Sequence, residues 1–276
     1  MRTRSAGHSV FAVTLIGIGL LGLIDAVSHP VSQGLSAVEV LAYLRAFIYV
    51  ACGIGLLFGR VATAAARVLF VYFLLLLLVF RAPGLLHGFG VDVYWSLCET
   101  AVMLAAAWVL YASLATDWDR QRVGFVVGDK GLHIARALYG AAIIPFGIAH
   151  FQYLKHTASM VPSWLPAHVA WAYFTGGAFI AAGVAILVGV WARMAAALST
   201  LQVGLFLALV WVPAVTTRSL NAFQRGEVLT TWVLTAAAWV VTDSYRGIPW
   251  LASGQALAGT RQHSDSGPSL IADKPA

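Results

Sequence analysis

The chain has 276 residues, of which 60% are hydrophobic and 10% charged, with a formal net charge of +6. Soluble domains average roughly 45–50% apolar and about 25% charged residues, and a mean hydropathy of +0.83 leaves more apolar surface than one core of this size can hide. A soluble enzyme, a nucleic-acid binder, a disordered chain and a disulfide scaffold are excluded, and the basic residues sit in loops, where a membrane protein carries them.

A bilayer core about 30 Å thick needs about 20 apolar residues per helix. Eight segments qualify in chain order: 9–27, 38–59, 62–81, 94–113, 133–151, 167–191, 193–212 and 226–243. The first follows Arg2 and Arg4, and Ala26-Val27-Ser28 before His29 would pass as a signal-peptide cleavage site. Its apolar run is long for such a peptide and Asp25 stands beside the site, so it reads as a span. The third is the purest, unbroken from Leu74 to Leu78. The last is short and leans on Trp and Ala. Continuous runs of this length predict helices; barrel strands would alternate over shorter segments.

Lys and Arg in the loops set the orientation. Twelve of them fall at the N-terminus, the 60–67 turn, the 114–136 linker, the 192–193 turn and the tail. Four (Arg81, Lys155, Arg218 and Arg225) fall on the other side, and Arg45 lies inside a span. This predicts a multi-pass protein of the cell membrane with both termini cytoplasmic.

The chain also reads as one unit written twice. Ala64-Ala65-Ala66 returns as Ala195-Ala196-Ala197, and Ala105-Ala106-Ala107-Trp108 returns at the same offset as Ala236-Ala237-Ala238-Trp239. Gly53 and Gly59 return as Gly183 and Gly189, one position short of that offset. Four spans per half is an even number, so the repeat is parallel. The expected organisation is a four-helix unit over 1–113, a charged linker over 114–132, a second unit over 133–243 and a disordered tail over 244–276.

Several motifs carry no chemistry here. Gly17-x-Gly19-x-x-Gly22 matches a dinucleotide fingerprint but lies inside a span with no preceding strand, where small residues serve helix packing. Cys52 and Cys98 are predicted about 15 Å apart in depth by helix rise, too far for a disulfide. No metal-ligand spacing is present.

Ionisable residues inside spans are functional candidates by default. Asp25, His29, Arg45, Arg81 and Glu99 in the first half fall at the outer ends or outer halves of helices, as do His150, His156, His168, Arg218 and Glu227 in the second. Arg45 facing Asp25 and Glu99 reads either as a buried ion pair fixing helix register or as a proton or headgroup site. Trp164, His168 and Trp171 stand at i, i+4 and i+7, and would share a face if the helix began before Pro166. They read either as interface anchors with structural histidine or as part of a site. A pocket of His150, His168, Gln202 and Glu227 with an aromatic lid would bind a flat lipophile with a polar head, such as a quinone. Joint haem ligation by His150 and His168 is a remoter option.

The second half resembles the DoxX family of bacterial membrane proteins. The resemblance is carried by Ile144-Pro145-Phe146-Gly147-Ile148-Ala149-His150-Phe151, by Val161-Pro162-Ser163-Trp164-Leu165-Pro166, by Trp171-Ala172-Tyr173-Phe174-Thr175-Gly176, and by Ala181-Ala182-Gly183 with Gly189-Val190-Trp191-Ala192-Arg193. It covers roughly 133–243. The first half joins only through the repeat, having Ile24-Asp25 where the His-Phe pair would stand. Similar sequences often carry a histidine near Phe179. The resemblance implies a four-helix membrane bundle and quinone-linked chemistry, since some relatives are linked to thiosulfate:quinone oxidoreductase or redox-stress complexes.

Four functions compete. The expected one is a redox-linked accessory subunit binding quinone near the outer leaflet, with the bilayer and a membrane or soluble redox protein as partners. The others are a non-enzymatic structural or partner-binding protein, a transporter of a small lipophile, and a lipid isomerase using paired carboxylates or histidine.

Overall fold

The computed structural model describes residues 5–28, 37–86, 88, 90–217 and 220–253. His29, Arg218 and the tail beyond 253 lie outside the described residues. Among the described residues all regular structure is helical. The long helices are α1 (Ala6–Ser28), α2 (Ala37–Leu57), α3 (Ala62–Leu75), α4 (Val91–Leu114), α6 (Asp129–Gln152), α8 (His168–Val188), α9 (Ala192–Phe206) and α11 (Ala222–Asp243). Shorter are α5 (Asp117–Val127), α7 (Leu154–Met160) and α10 (Val212–Thr217).

Seven helices are long and apolar enough to cross a membrane: those starting at Ala6, Val38, Ala62, Val93, Asp129, His168 and Ala192. They define a multi-pass membrane protein in contact with the bilayer. The eighth expected span coincides with α11, which is 22 residues long but carries Arg225, Glu227, Asp243 and four threonines, and is not among the seven. Leu20, Ile24, Phe47, Leu78 and Leu198 are exposed, as side chains solvated by lipid would be.

Two helices depart from the α geometry mid-span. After α3 the chain widens into a π-helix at Leu76–Arg81, and after α9 it does so at Leu207–Trp211. Leu76 and Leu207, where these segments start, are related by the same offset as the Ala triplets. Each wide turn leaves a local break in the i→i−4 ladder, a feature concentrated at functional sites.

The packing order runs α1 on α2, α2 on α3, α3 on α4, then α6 on α8, α8 on α9 and α9 on α11. The two halves meet along α4 with α6, α1 with α11, and α4 with α11. Thus the first helix of each half lies against the last helix of the other. The core is continuous across the linker, and α4 is its centre: 67% of its span is buried, against 28% for α2 and α8. The reason is in its sequence. Ala105, Ala106 and Ala107 on α4, like Ala236, Ala237 and Ala238 on α11, are almost wholly buried. Side chains this small let helix backbones approach closely without a hydrophobic driving force, which lipid does not supply.

Glycine sets the two tightest crossings. A Cβ at Gly19 of α1 would lie 2.8 Å from Ala46 O and 2.7 Å from Val50 Cγ2 of α2; one at Gly147 of α6 would meet Gly176 O and Ile180 of α8. A Cβ at Gly53 of α2 would lie 2.7 Å from Ala12 O and 2.8 Å from Ile16 Cγ1; one at Gly183 of α8 would lie 2.6 Å from Gly140 O and 2.5 Å from Ile144 Cγ1. The α1–α2 and α6–α8 crossings therefore use corresponding residues.

One end of the bundle, here the proximal end, gathers the start of α1, the end of α11 and the linker. Gly7 N–H donates to Asp243 Oδ2 at 2.8 Å, and His8 Nε2 donates to Leu56 O at 2.9 Å. The linker over 114–132 is not extended chain. It folds into α5, opened by a capping box in which Thr116 and Asp119 satisfy each other's backbone N–H groups. At the opposite, distal end, Tyr94 on α4 hydrogen-bonds Gln152 on α6.

Candidate functional site

The distal half of the bundle forms a half-open cavity of about 80 Å³ between the two halves of the chain. Trp95 and Val102 of α4 form one wall. Tyr139, Ile143, Phe146 and His150 of α6, Phe179 of α8, Val203 and Phe206 of α9, and Thr231, Leu234 and Ala238 of α11 complete it. From Tyr139 to His150 the α6 wall rises about 16 Å along the helix axis. Tyr139 closes the deep end, its hydroxyl hydrogen-bonded to Ser199 at 2.9 Å.

His150 is the polar centre of this cavity. Only 9% of it is exposed. Its Nδ1 stands 2.7 Å from Phe146 O. A carbonyl only accepts, so Nδ1 carries the proton, and in the neutral ring Nε2 holds a lone pair. The ring stacks on Phe206 at 5.8 Å and meets Phe179 edge-on at 5.6 Å, while Phe146 touches Trp95 at 4.9 Å and Phe179 at 6.2 Å. The histidine ring is therefore held by Phe179 and Phe206, and Phe146 and Trp95 extend this aromatic cluster.

Two carboxylates border the same region. Glu99 lies one turn along α4 from Trp95, and Glu227 lies one turn along α11 from Thr231. Both are half-buried. They interact electrostatically with each other across the α4–α11 contact, and Arg81, exposed at the end of the α3 π-segment, acts on Glu99 as well.

The remaining predicted residues fall elsewhere. Gln202 leaves the cavity and donates from Nε2 to Thr175 O at 2.9 Å, tying α9 to α8. His168 is the first residue of α8 and lines an open distal groove of about 690 Å³ formed by residues 165–170 and Tyr173. Trp164 is 69% exposed. It does not share a helical face with His168 and Trp171, because Ala167 takes a left-handed conformation (φ 58°) and α8 begins only after it. Trp171 packs edge-on against Phe174. Asp25 is exposed in the last turn of α1, and exposed Arg45 acts electrostatically on Tyr49 and Tyr72. Cys52 and Cys98 are buried free thiols. Among the described residues no group of three His, Cys, Asp or Glu side chains is placed to hold a metal ion.

The proximal end carries a second polar system of a different kind. Asp119 is fully buried. Its Oδ1 accepts from Arg67 at 2.6 Å and Tyr111 at 2.7 Å, and its Oδ2 from the Thr116 hydroxyl at 2.6 Å and the Thr116 backbone N–H at 3.0 Å. Burial alone would raise this carboxyl; the Thr116 and Tyr111 donors and the Arg67 charge outweigh it and hold it down at about 2. Arg67 lies over Trp118 at 5.0 Å, and Arg122 lies over the same ring at 5.3 Å. Arg136 bonds Ser244 and covers Tyr245 at 4.1 Å, and Arg193 donates to Ile248 O at 2.6 Å and covers Trp250 at 4.0 Å. Burial pushes Tyr245 up to about 12, against the pull of Arg136. Arg67 Nε is buried without a hydrogen-bond partner, but each charged group here is engaged by another part of the fold. That marks the proximal cluster as a structural clamp and the distal cavity as the candidate site.

The sequence singles out His150, Glu99 and Glu227 and groups Glu99 with Arg45. The structure adds Trp95, Phe206 and Thr231 to the cavity wall, residues that look like ordinary span residues, and Phe179, where similar sequences often carry a histidine. Comparison of the chain with protein-family models, with curated proteins and with solved structures finds no match in any of the three.

Proposed function

We propose that this chain is an eight-span membrane protein made of two related four-helix units, with both termini cytoplasmic, and that it binds a small solute entering from the outer face. Support for the duplication comes from the corresponding glycine crossings of α1–α2 and α6–α8 and the paired π-segments. Support for α11 as the eighth span comes from its packing on α1, α4 and α9. The Pro-Ser-Trp-Leu-Pro and Trp-Ala-Tyr segments support reading the second half as DoxX-like.

The observation that carries the function is a cavity between the two halves that His150 lines in an otherwise apolar bundle, with Glu99 and Glu227 one turn beyond its wall residues Trp95 and Thr231. Ionisable groups at membrane depth mark solute or proton paths, and pockets between helices of a bundle are the usual ligand sites. The quinone reading fares worse. A cavity of about 150 Å³ takes benzene, and this one is about half that size. A quinone carbonyl also needs a donor, whereas His150 Nε2 in its neutral form offers a lone pair.

Two measurements test the reading. Mass spectrometry of an organic extract of the detergent-purified protein is expected to show bulk phospholipid and no stoichiometric quinone. Near-stoichiometric quinone that disappears in His150→Ala would overturn the solute reading in favour of a redox-linked subunit. In a Cys52→Ala/Cys98→Ala background, His150→Cys is expected to react with methyl methanethiosulfonate and resist a bulky maleimide. Failure to react with the small reagent in the folded protein would mean the cavity is not reached from outside.

A further inference from the structure

The chemistry of the cavity narrows the solute class, an inference that rests on the solute-binding reading above. Its polar centre is one acceptor nitrogen set among aromatic rings. His150 is nine-tenths buried, lines the cavity, and uses Nδ1 on Phe146 O, leaving Nε2 as an acceptor without a protein partner. The Tyr139 hydroxyl at the floor is engaged with Ser199, and the Trp95 indole in the wall is a donor. Thr231 alone adds a hydroxyl that can turn either way. Around these stand the rings of Trp95, Phe146, Phe179 and Phe206, whose faces attract a cation. Glu99 and Glu227 stand one turn beyond the wall residues Trp95 and Thr231. An acceptor nitrogen among aromatic rings suits a positively charged donor.

Size sets the other limit. A volume of about 80 Å³ is about half that of a cavity of roughly 150 Å³ that takes benzene, which favours a ligand of a few heavy atoms. We propose that the distal cavity is a binding site for a small ammonium ion bearing N–H protons, of the size of ammonium, methylammonium or dimethylammonium. An N–H points at His150 Nε2, the aromatic faces surround the charge, and Glu99 and Glu227 draw the cation to the rim. Tetramethylammonium is too large and has no proton to donate.

The test is equilibrium binding of radiolabelled methylammonium to the full chain in mild detergent. Saturable binding is expected, competed by ammonium and dimethylammonium chloride but not by sodium or tetramethylammonium chloride at equal ionic strength. Glu99→Gln and Glu227→Gln, which keep shape and remove charge, should each weaken binding about ten-fold, the effect of about 1.4 kcal/mol. Size-exclusion chromatography checks that both variants remain folded. Binding that is equally tight in both folded variants, or that tetramethylammonium competes, overturns the assignment. Absence of methylammonium binding while His150→Cys still reacts with methyl methanethiosulfonate removes the cation class and leaves the solute site standing. Absence of both removes the site as well.

Discussion

Asp119 gives the sharpest prediction about what holds the bundle together. It is a fully buried carboxylate with four donors, two on each oxygen. Asp119→Asn keeps the shape but replaces one oxygen with an NH₂ group. Whichever way the amide turns, two donors then face a donor. Losing two charge-assisted hydrogen bonds, each worth roughly 1.5 kcal/mol, should cost about 3 kcal/mol, a large share of the roughly 5–15 kcal/mol by which folded proteins are stable. The loss also has a defined pH signature. The native carboxyl titrates at about 2, below its unfolded value, so its contribution is full above about pH 4 and fades as pH falls toward the native value. Unfolding of wild type and Asp119→Asn in detergent, followed by tryptophan fluorescence between about pH 7 and pH 2, measures both. A neutral-pH difference no larger than that of an ordinary surface substitution, about 0.5 kcal/mol, would refute the clamp. So would a difference that does not shrink as pH falls.

Other consequences follow from named contacts. Gly147→Leu should prevent the α6–α8 approach by forcing its side chain against Gly176 O; overpacking of this kind costs about 1–3 kcal/mol, read as a lowered thermal midpoint, with Gly177→Leu as the unaffected control because a Cβ there meets nothing. Arg193→Ala removes the bond to Ile248 O and the cover over Trp250, so limited proteolysis should cut after residue 245 faster than in wild type. Copper-phenanthroline oxidation should leave Cys52 and Cys98 as thiols, counted by maleimide after denaturation; a protected pair would contradict their burial on separate helices. For orientation, Ser163→Cys is expected to label with an impermeant maleimide in intact cells and Arg120→Cys only after permeabilisation, and the reverse pattern would invert the topology.

Much of the architecture is written in the sequence because lipid imposes a simple rule. Backbone groups must be satisfied within the segment, so long apolar runs become helices, and the runs read from composition lie within a few residues of α1–α4, α6, α8 and α9. Glu227 and the threonines lower the hydropathy of α11, so its proposed role as a span rests on its neighbours and not on its own residues. Local rules also reach some details: Pro166 leaves a shared face for Trp164, His168 and Trp171 open, and Thr116 with Asp119 has the spacing of a capping box. What only the tertiary structure decided is which helix faces which. Depth along a helix follows from counting at a fixed rise, but rotation about the axis and the choice of neighbour depend on close packing between Ala and Gly surfaces that look alike in sequence. Depth alone therefore grouped Glu99 with Arg45 and His150 with His168. The α4–α11 contact instead brings Glu99 to Glu227, and the α4–α6 contact closes the cavity around His150 with rings that carry no sequence signature of a site.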